Sequence, residues 1–252
     1  MNSYFDKLLK KKLVILITGQ KKRLELSSKI KNIIAPLCEN GRYDVSVVLS
    51  LSETENFTNK GKYHSKFKYD LCNIEKELDT IPYYMNTIKY PELNINQALC
   101  SQLDKENMGL LFRQQRSKNH VRQFYTFSNS WSIIKELNPD ILIRLREDVY
   151  LPTSFKLSEF YKLLHMISTH THSKKYIYTP FKNSWGGIND KLAIVSKQAI
   201  PVYLTKPFEV YKSYNNNYNK RLMNPEQFLK AVYINNGVSL LTSNIEIKVL
   251  GQ

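Results

Sequence analysis

The stretch PDILIRLREDVYLP, residues 139–152, joins an apolar run directly to a dense cluster of charges. Residues 141–145 predict a central β-strand, because β-branched and apolar residues follow one another with little polar relief. Side chains alternate between the faces of a strand, so Arg144, Arg146 and Asp148 would share one face if the extended backbone continues. Open α/β sheets bind ligands beyond the carboxyl ends of their strands. Two guanidiniums and a carboxylate there favour a phosphate-bearing ligand, with or without a metal; the alternative is an Arg–Asp ion pair that caps the strand.

The segments around this strand alternate between strand and helix patterns. Residues 13–18 predict a first strand, residues 26–37 a helix with apolar positions at helical spacing, and residues 43–51 a second strand. A strand–helix–strand crossover implies parallel pairing. The further predictions are helix 94–103, strand 109–112, helix 118–137, helix 157–170, strand 175–179, strand 191–196, helix 225–235 and strand 245–250. We therefore expect an α/β protein with a mixed, mostly parallel sheet flanked by helices, in one domain over residues 1–252.

The chain of 252 residues is basic, with a formal net charge of +15. A basic surface can attract nucleic acid, anionic lipid or small phosphorylated substrates. The lysines are spread along the whole chain, and the abundance of Lys, Asn, Ile and Tyr also suits an A/T-biased genome. No recognised nucleic-acid-binding motif is present, which does not favour nucleic acid as a partner. One candidate function is therefore that of a non-catalytic basic protein that binds nucleic acid or is associated with a virion.

Cysteine usage and the first strand bear on the compartment. Cys38, Cys72 and Cys100 form an odd set without zinc-ligand spacing, which predicts a reducing compartment, the cytoplasm, or the host cytoplasm for a viral protein. The apolar run 13–17 is too short to span a membrane, and residues 21–23, Lys-Lys-Arg, follow it where a signal peptide would be cleaved. We interpret it as a buried strand and expect no membrane span.

Two further places present polar groups near predicted element ends. The turn 185–190 contains a Gly-Gly pair that allows close backbone approach, and it presents Asn189 and Asp190 at a strand entrance; an ordinary turn with Asx hydrogen bonds is the alternative. Glu226 follows a proline in the first turn of a helix, where the helix dipole also favours a carboxylate without a functional role. The turn after the first strand, at Gly19, lacks both the GxGxxG and the GxxxxGK patterns, so dinucleotide and P-loop binding are not supported. HExxH and GxSxG patterns are also missing from the sequence.

Four segments, taken in order, carry a resemblance to a known family. They read ITGQKKR at 17–23, DILIRLRED at 140–148, GINDKLAI at 187–194 and NPEQFL at 224–229. Together they resemble a family of GT-A-like glycosyltransferases found in giant DNA viruses and algae. The resemblance spans residues 13–235, with residues 52–118 unmatched.

This resemblance implies transfer of a sugar from a nucleotide-sugar donor to a glycan or glycoprotein acceptor. In GT-A enzymes a D-x-D sequence at a strand end binds a divalent metal on the donor diphosphate. Residues 146–148, Arg-Glu-Asp, stand at that position, so only the last aspartate is kept, and Glu147 is expected on the opposite face. Asp148 alone would then hold Mg²⁺ or Mn²⁺ together with the substrate phosphates. Alternatively, Arg144 or Arg146 would neutralise the leaving diphosphate without a metal.

The resemblance also implies roles for the other residues of these segments. The residues expected to contact the donor are Gly19, Gln20, Arg23, Arg144, Arg146 and Asn189. Asp190 or Glu226 would act as the base on the acceptor hydroxyl, or hold the sugar. Of the two we favour Asp190, because helix capping does not explain its position.

Overall fold

The computed structural model describes residues 10–53, 71–90, 114–169, 174–182, 184, 186–212 and 225–249. The predicted helix 94–103 and strand 109–112 lie outside the described residues. So do Cys100, Trp185 and Asn224.

The described elements alternate between strands and helices. The strands are β1 Lys11–Gln20, β2 Tyr43–Ser52, β3 Tyr83–Ile88, β4 Ile141–Arg146, β5 Val149–Tyr150, β6 Lys175–Pro180, β7 Leu192–Ser196, β8 Val238–Ser243 and β9 Lys248–Val249. The α-helices are α1 Ser27–Lys29, α2 Ala35–Glu39, α3 Leu71–Glu77, α4 Gln114–Leu137, α5 Leu157–Thr169, α6 Ile200–Lys212 and α7 Pro225–Asn235. A π-helical turn, Ile30–Ile34, joins α1 to α2, and 3-10 turns occupy Lys21–Arg23 and Lys197–Ala199.

Seven strands form the main sheet, in the order β3-β2-β1-β4-β7-β6-β8. All of them run parallel to β1 except β7, which is antiparallel to both β4 and β6. The predicted fold class, an α/β protein with a mixed, mostly parallel sheet flanked by helices, is therefore confirmed. The extent of the domain over residues 1–252 stays a prediction.

The order of the strands marks where a ligand would lie. From β1 the chain moves outward through β2 to β3, and it then returns to place β4 on the other side of β1. The carboxyl ends of β1 and β4 therefore flank the point at which the direction of winding changes. Crevices at such switch points are where open α/β sheets bind ligands.

Helices cover both faces of the sheet, which explains the unbroken apolar runs of β1 and β4. On one face, alternate residues such as Ile15 and Ile143 pack with α2 and α5. On the other face, Leu16 and Leu142 pack with α4, α6 and α7. Full burial of each such side chain contributes about 1.5–3 kcal/mol. Arg144 follows Leu142 on this second face. A charged side chain therefore enters the core two residues before β4 ends at Arg146.

The strand predictions need two corrections. Strands β3 and β8 were not predicted, and both are edge strands of the described sheet whose exposed positions interrupt any long apolar run. The predicted strand 245–250 is replaced by the two-residue β9, which pairs antiparallel with β5 in a small second sheet. Within the described ranges, no helix combines the length and the apolar character that crossing a membrane requires.

Candidate functional site

Charged side chains gather where β1 and β4 end. Because β7 runs antiparallel to β4, its amino end lies at the same edge, and the Arg146 N–H donates to the Lys191 carbonyl at 2.9 Å. The Glu147 N–H donates to the Thr18 carbonyl at 3.0 Å, which fixes the chain leaving β4 against the end of β1. Segments predicted separately from the sequence are thus brought together at one edge of the sheet, the edge formed by the carboxyl ends of β1 and β4.

The carboxylate of Asp148 lies between two guanidiniums. It is 1% exposed, and Arg146 donates to it through two nitrogens, Nε to Oδ1 at 2.5 Å and Nη2 to Oδ2 at 3.1 Å. Arg23, from the turn after β1, donates its Nη2 to the same Oδ2. Both oxygens of Asp148 are therefore engaged by charge-assisted hydrogen bonds.

Asp190 lies on the other side of Arg146. Arg146 Nη1 is 3.4 Å from its Oδ2, and Lys191 Nζ is 3.3 Å from its Oδ1. Burial alone raises the pKa of Asp190, but the charges of Arg146, Lys191 and Arg144 outweigh it and hold that pKa well below the ordinary value. The carboxylate is therefore ionised at neutral pH and has little affinity for a proton.

Arg144 is the largest fully buried side chain at this edge, with 1% of it exposed. Its Nε and Nη2 donate to the Thr18 hydroxyl at 3.0 and 2.9 Å, and its guanidinium carbon lies 4.8 Å from the centroid of the Phe127 ring. Its Nη1 is buried and has no hydrogen-bond partner among the described residues. A buried donor left unpaired costs about 1–3 kcal/mol, a cost that an anionic ligand would remove.

An aromatic stack on α4, α6 and α7 packs beneath Arg144. Phe127, Tyr203 and Tyr233 stack in succession, with 5.4 Å between ring centroids and 24° between planes at each step. Burial raises the pKa of Tyr203 to about 12, against the opposing charge of Arg144. The stack gives the guanidinium a rigid and apolar floor.

The glycine pair of the 185–190 turn brings the first turn of α7 to the same edge. A Cβ on Gly187 would overlap the backbone of Glu226 and Gln227, so only glycine allows this approach. The Ile188 N–H donates to the Glu226 carbonyl at 3.2 Å. Burial and then the charge of Asp190 raise the pKa of Glu226, which makes it the better proton acceptor of these two carboxylates near neutral pH.

Asn189 uses its side chain within its own turn. Its Nδ2 donates to the Lys182 carbonyl at 2.7 Å, and its Oδ1 accepts from the Lys191 N–H at 2.9 Å. The bond from the Lys191 N–H is the Asx-type bond considered as the alternative for this segment, and both bonds lie within the connection between β6 and β7. They place Asp190 beside Arg146, while contact of Asn189 with a ligand stays a prediction.

The turn after β1 requires glycine. Gly19 has φ +142°, and a Cβ there would overlap the carboxylate of Glu147. The expectation that Glu147 points to the opposite face is wrong: the backbone turns at 147–148, and the side chain packs against Gly19 with Oε1 3.6 Å from Arg23 Nη1. Gln20, which ends β1, is half-buried beside this turn.

Lys29 is a site-forming residue that the sequence analysis missed. It is fully buried, and its Nζ donates to the Glu147 carbonyl at 2.9 Å and the Val149 carbonyl at 2.5 Å, as well as to the carbonyl of Glu25. Burial lowers the pKa of Lys29 to about 8, and the Glu25 carboxylate opposes that change. The available signal was a lysine on the apolar face of the 26–37 helix, between Leu26 and Ile33.

The carboxylates do not fit the divalent metal expected at Asp148. Both oxygens of Asp148 are held by arginines, and those of Asp190 face Arg146 and Lys191. A hard cation needs several free oxygen ligands, and these guanidiniums would repel it. In the described part of the chain, no group of three or more His, Cys, Asp or Glu side chains is placed to hold a metal ion. The positive charge at this edge comes from arginine and lysine.

No protein-family profile matches this sequence, and no curated protein matches it significantly. Solved structures similar to this chain include a glycosyltransferase involved in the glycosylation of the major capsid of PBCV-1, at 11% identity and a TM-score of 0.42, covering 92% of this chain and 82% of that chain. Another is the mannosyltransferase PcManGT from Pyrobaculum calidifontis in complex with GDP-Man and Mn²⁺, at 9% identity and a TM-score of 0.43. The match covers 94% of this chain and 55% of that one. Neither likeness assigns an activity to this chain. A function must therefore be inferred from the residues at the carboxyl ends of β1 and β4.

Proposed function

We propose that this protein is a glycosyltransferase that moves a sugar from a nucleotide-sugar donor to a glycan or glycoprotein acceptor. One observation carries the proposal: three guanidiniums and a carboxylate with a raised pKa converge at the switch point between β1 and β4. The guanidiniums are Arg23, Arg144 and Arg146, and the carboxylate is Glu226.

In this proposal the donor diphosphate lies beyond the ends of β1 and β4. The unpaired Nη1 of Arg144 and the partly exposed guanidiniums of Arg23 and Arg146 face it with planar donor groups that match phosphate oxygens. The turn containing Gly19 and Gln20 contacts the nucleotide. Asp148 orients Arg23 and Arg146, so its proposed role is to position these cations.

The transfer step assigns a different role to each remaining carboxylate. The acceptor oxygen forms a bond to the anomeric carbon, the bond from that carbon to the diphosphate oxygen breaks, and the hydroxyl proton passes to Glu226. A base with a raised pKa is better suited to this task near neutral pH than Asp190, whose pKa is depressed. We therefore propose Glu226 as the base, reversing the preference drawn from sequence, and Asp190 as the residue that holds Arg146 and the sugar.

Release of nucleoside diphosphate from a panel of nucleotide sugars, followed by mass spectrometry with and without glycan acceptors, tests the proposal. Glu226→Gln should lower the transfer rate by about 100-fold or more while donor binding persists. Glu159→Gln, on the exposed face of α5, is the matched control and should transfer normally. If Glu226→Gln keeps the wild-type transfer rate, the assignment of Glu226 as the base fails. If Asp190→Asn also keeps that rate, neither carboxylate takes part in transfer.

The same protein preparation tests the alternative function. A non-catalytic nucleic-acid-binding protein would bind mixed oligonucleotides at sub-micromolar affinity with a steep dependence on salt. That result, combined with no binding of any nucleotide sugar, would replace the glycosyltransferase proposal.

A further inference from the structure

Arg146 occupies the position between two carboxylates that a bridging cation would take. Its guanidinium is hydrogen-bonded to Asp148 at 2.5 and 3.1 Å, and it lies 3.4 Å from Asp190. One guanidinium thus contacts two carboxylates, one just after β4 and the other just before β7. We infer that this site binds a nucleoside diphosphate through arginine side chains, with Arg146 in place of a divalent cation; the inference rests on the proposed donor site.

The carboxylate oxygens around Arg146 are already engaged. Asp148 has donors on both oxygens, and the two oxygens of Asp190 face Arg146 and Lys191. A divalent cation entering here would have to displace guanidinium groups that are tethered to the same strand ends. The displaced positive charges would then remain beside the metal and repel it.

Donor groups for an anion remain at the same place. A guanidinium has five N–H donors, and Arg146 directs three nitrogens at Asp148 and Asp190, which leaves one N–H on each terminal nitrogen. Its side chain is 23% exposed, and that of Arg23 is 37% exposed, so both can be reached from solvent. Arg144 adds the buried Nη1 that has no partner among the described residues.

The arrangement of these three arginines suits a leaving diphosphate. A diphosphate carries several negative charges, and its two groups of oxygens need donors at more than one position. Arg144 is fixed by Thr18 and Phe127, and Arg146 is fixed by two carboxylates. Binding a ligand therefore costs little side-chain entropy at these two arginines. The cationic groups are therefore in place before the ligand arrives.

Isothermal titration of the full chain with UDP, GDP, ADP and CDP, in chelator and in excess Mn²⁺, tests the inference. We expect at least one of these nucleoside diphosphates to bind in chelator, with an affinity that Mn²⁺ does not improve. Binding that appears only with Mn²⁺ would overturn the inference and leave the donor site standing. Binding in neither condition would overturn the donor site itself.

Two substitutions test whether Arg146 contributes to nucleoside diphosphate binding. Arg146→Lys keeps a positive charge beside Asp148 but loses the planar fork, and it should weaken nucleoside diphosphate binding in chelator by about tenfold. Lys197→Ala removes a surface cation that pairs with Asp140 at 2.9 Å, at the ends of β4 and β7 that lie away from the site. This substitution should leave the affinity unchanged. Unchanged affinity in Arg146→Lys would refute the role given to Arg146.

Arg23→Gln provides a second variant in case Arg146→Lys unfolds. Arg23 is more exposed, and Asp148 keeps its bonds to Arg146 when Arg23 is replaced. We expect weaker binding of the same nucleoside diphosphate in chelator, with wild-type circular dichroism. Full affinity in this variant would overturn the shared role of the arginines.

Discussion

Replacing Lys29 by methionine tests how the loop after β4 is held. Lys29 is fully buried and donates to the carbonyls of Glu25, Glu147 and Val149. Methionine has a similar length and no charge, so Lys29→Met removes these bonds without leaving a large cavity. The variant therefore separates the charge of Lys29 from its packing.

The pKa of Lys29 sets the size of the expected effect. Each tenfold change in proton affinity is worth about 1.4 kcal/mol, so lowering the pKa from 10.5 to about 8 makes the charged form about 3 kcal/mol less favourable in the fold than in the unfolded chain. Between these two pKa values the unfolded chain binds more protons than the fold, so this group makes the protein more stable as pH rises. From about pH 7 to about pH 9.5 the gain is about 2 kcal/mol.

Urea unfolding followed by tryptophan fluorescence at these two pH values measures the effect. Wild type should gain about 2 kcal/mol relative to Lys29→Met on going from the lower to the higher pH. Lys197→Met, which removes an exposed lysine, is the control and should change the free energy of unfolding by less than about 1 kcal/mol. Parallel stability profiles for wild type and Lys29→Met would refute the account of Lys29 as a buried cation.

Three further predictions concern the groups that surround the site. Gly187→Ala should cost about 2 kcal/mol or more in urea unfolding and should reduce transfer, because its Cβ overlaps the backbone of Glu226; a wild-type midpoint would contradict this. Phe127→Leu removes the ring beneath Arg144 and should lower the free energy of unfolding by about 2–3 kcal/mol; a loss below about 0.5 kcal/mol would show that the cation–ring contact is unimportant. The pH profile of transfer should fall on the acid side through a pKa above the ordinary glutamate value, because protonated Glu226 accepts no proton; an acid limb unchanged in Glu226→Gln would assign that titration to another group.

The central strands could be predicted because burial on both faces leaves a strong sequence signal. The runs 13–18 and 141–145 lie within β1 and β4, and the winding of the chain places their ends side by side. The edge strands β3 and β8 carry no comparable run, since part of each faces solvent. Local hydrophobicity therefore identified the centre of the sheet and missed its margins.

The site was predictable in its residue types and less so in its pairings. The spacing of Arg146 and Asp148 suggested an ion pair within one segment, and that pair is present. The contact of Arg23 with Asp148 depends on the parallel register of β1 with β4, which no local pattern encodes. The same is true of Lys29, whose acceptors at 147 and 149 lie far away in the sequence.

The reversed strand β7 has a consequence for how this protein could be altered. Because β6 ends and β7 begins at the same edge, on neighbouring strands, residues 181–191 form a connection with both ends anchored in the sheet. Doubling the length of such a loop costs only about 0.6 kcal/mol in closure entropy. Extra residues could therefore be inserted between Lys182 and Gly186 to change which acceptor the proposed site accommodates, while Gly187 keeps its contact with Glu226 and the arginines keep their places.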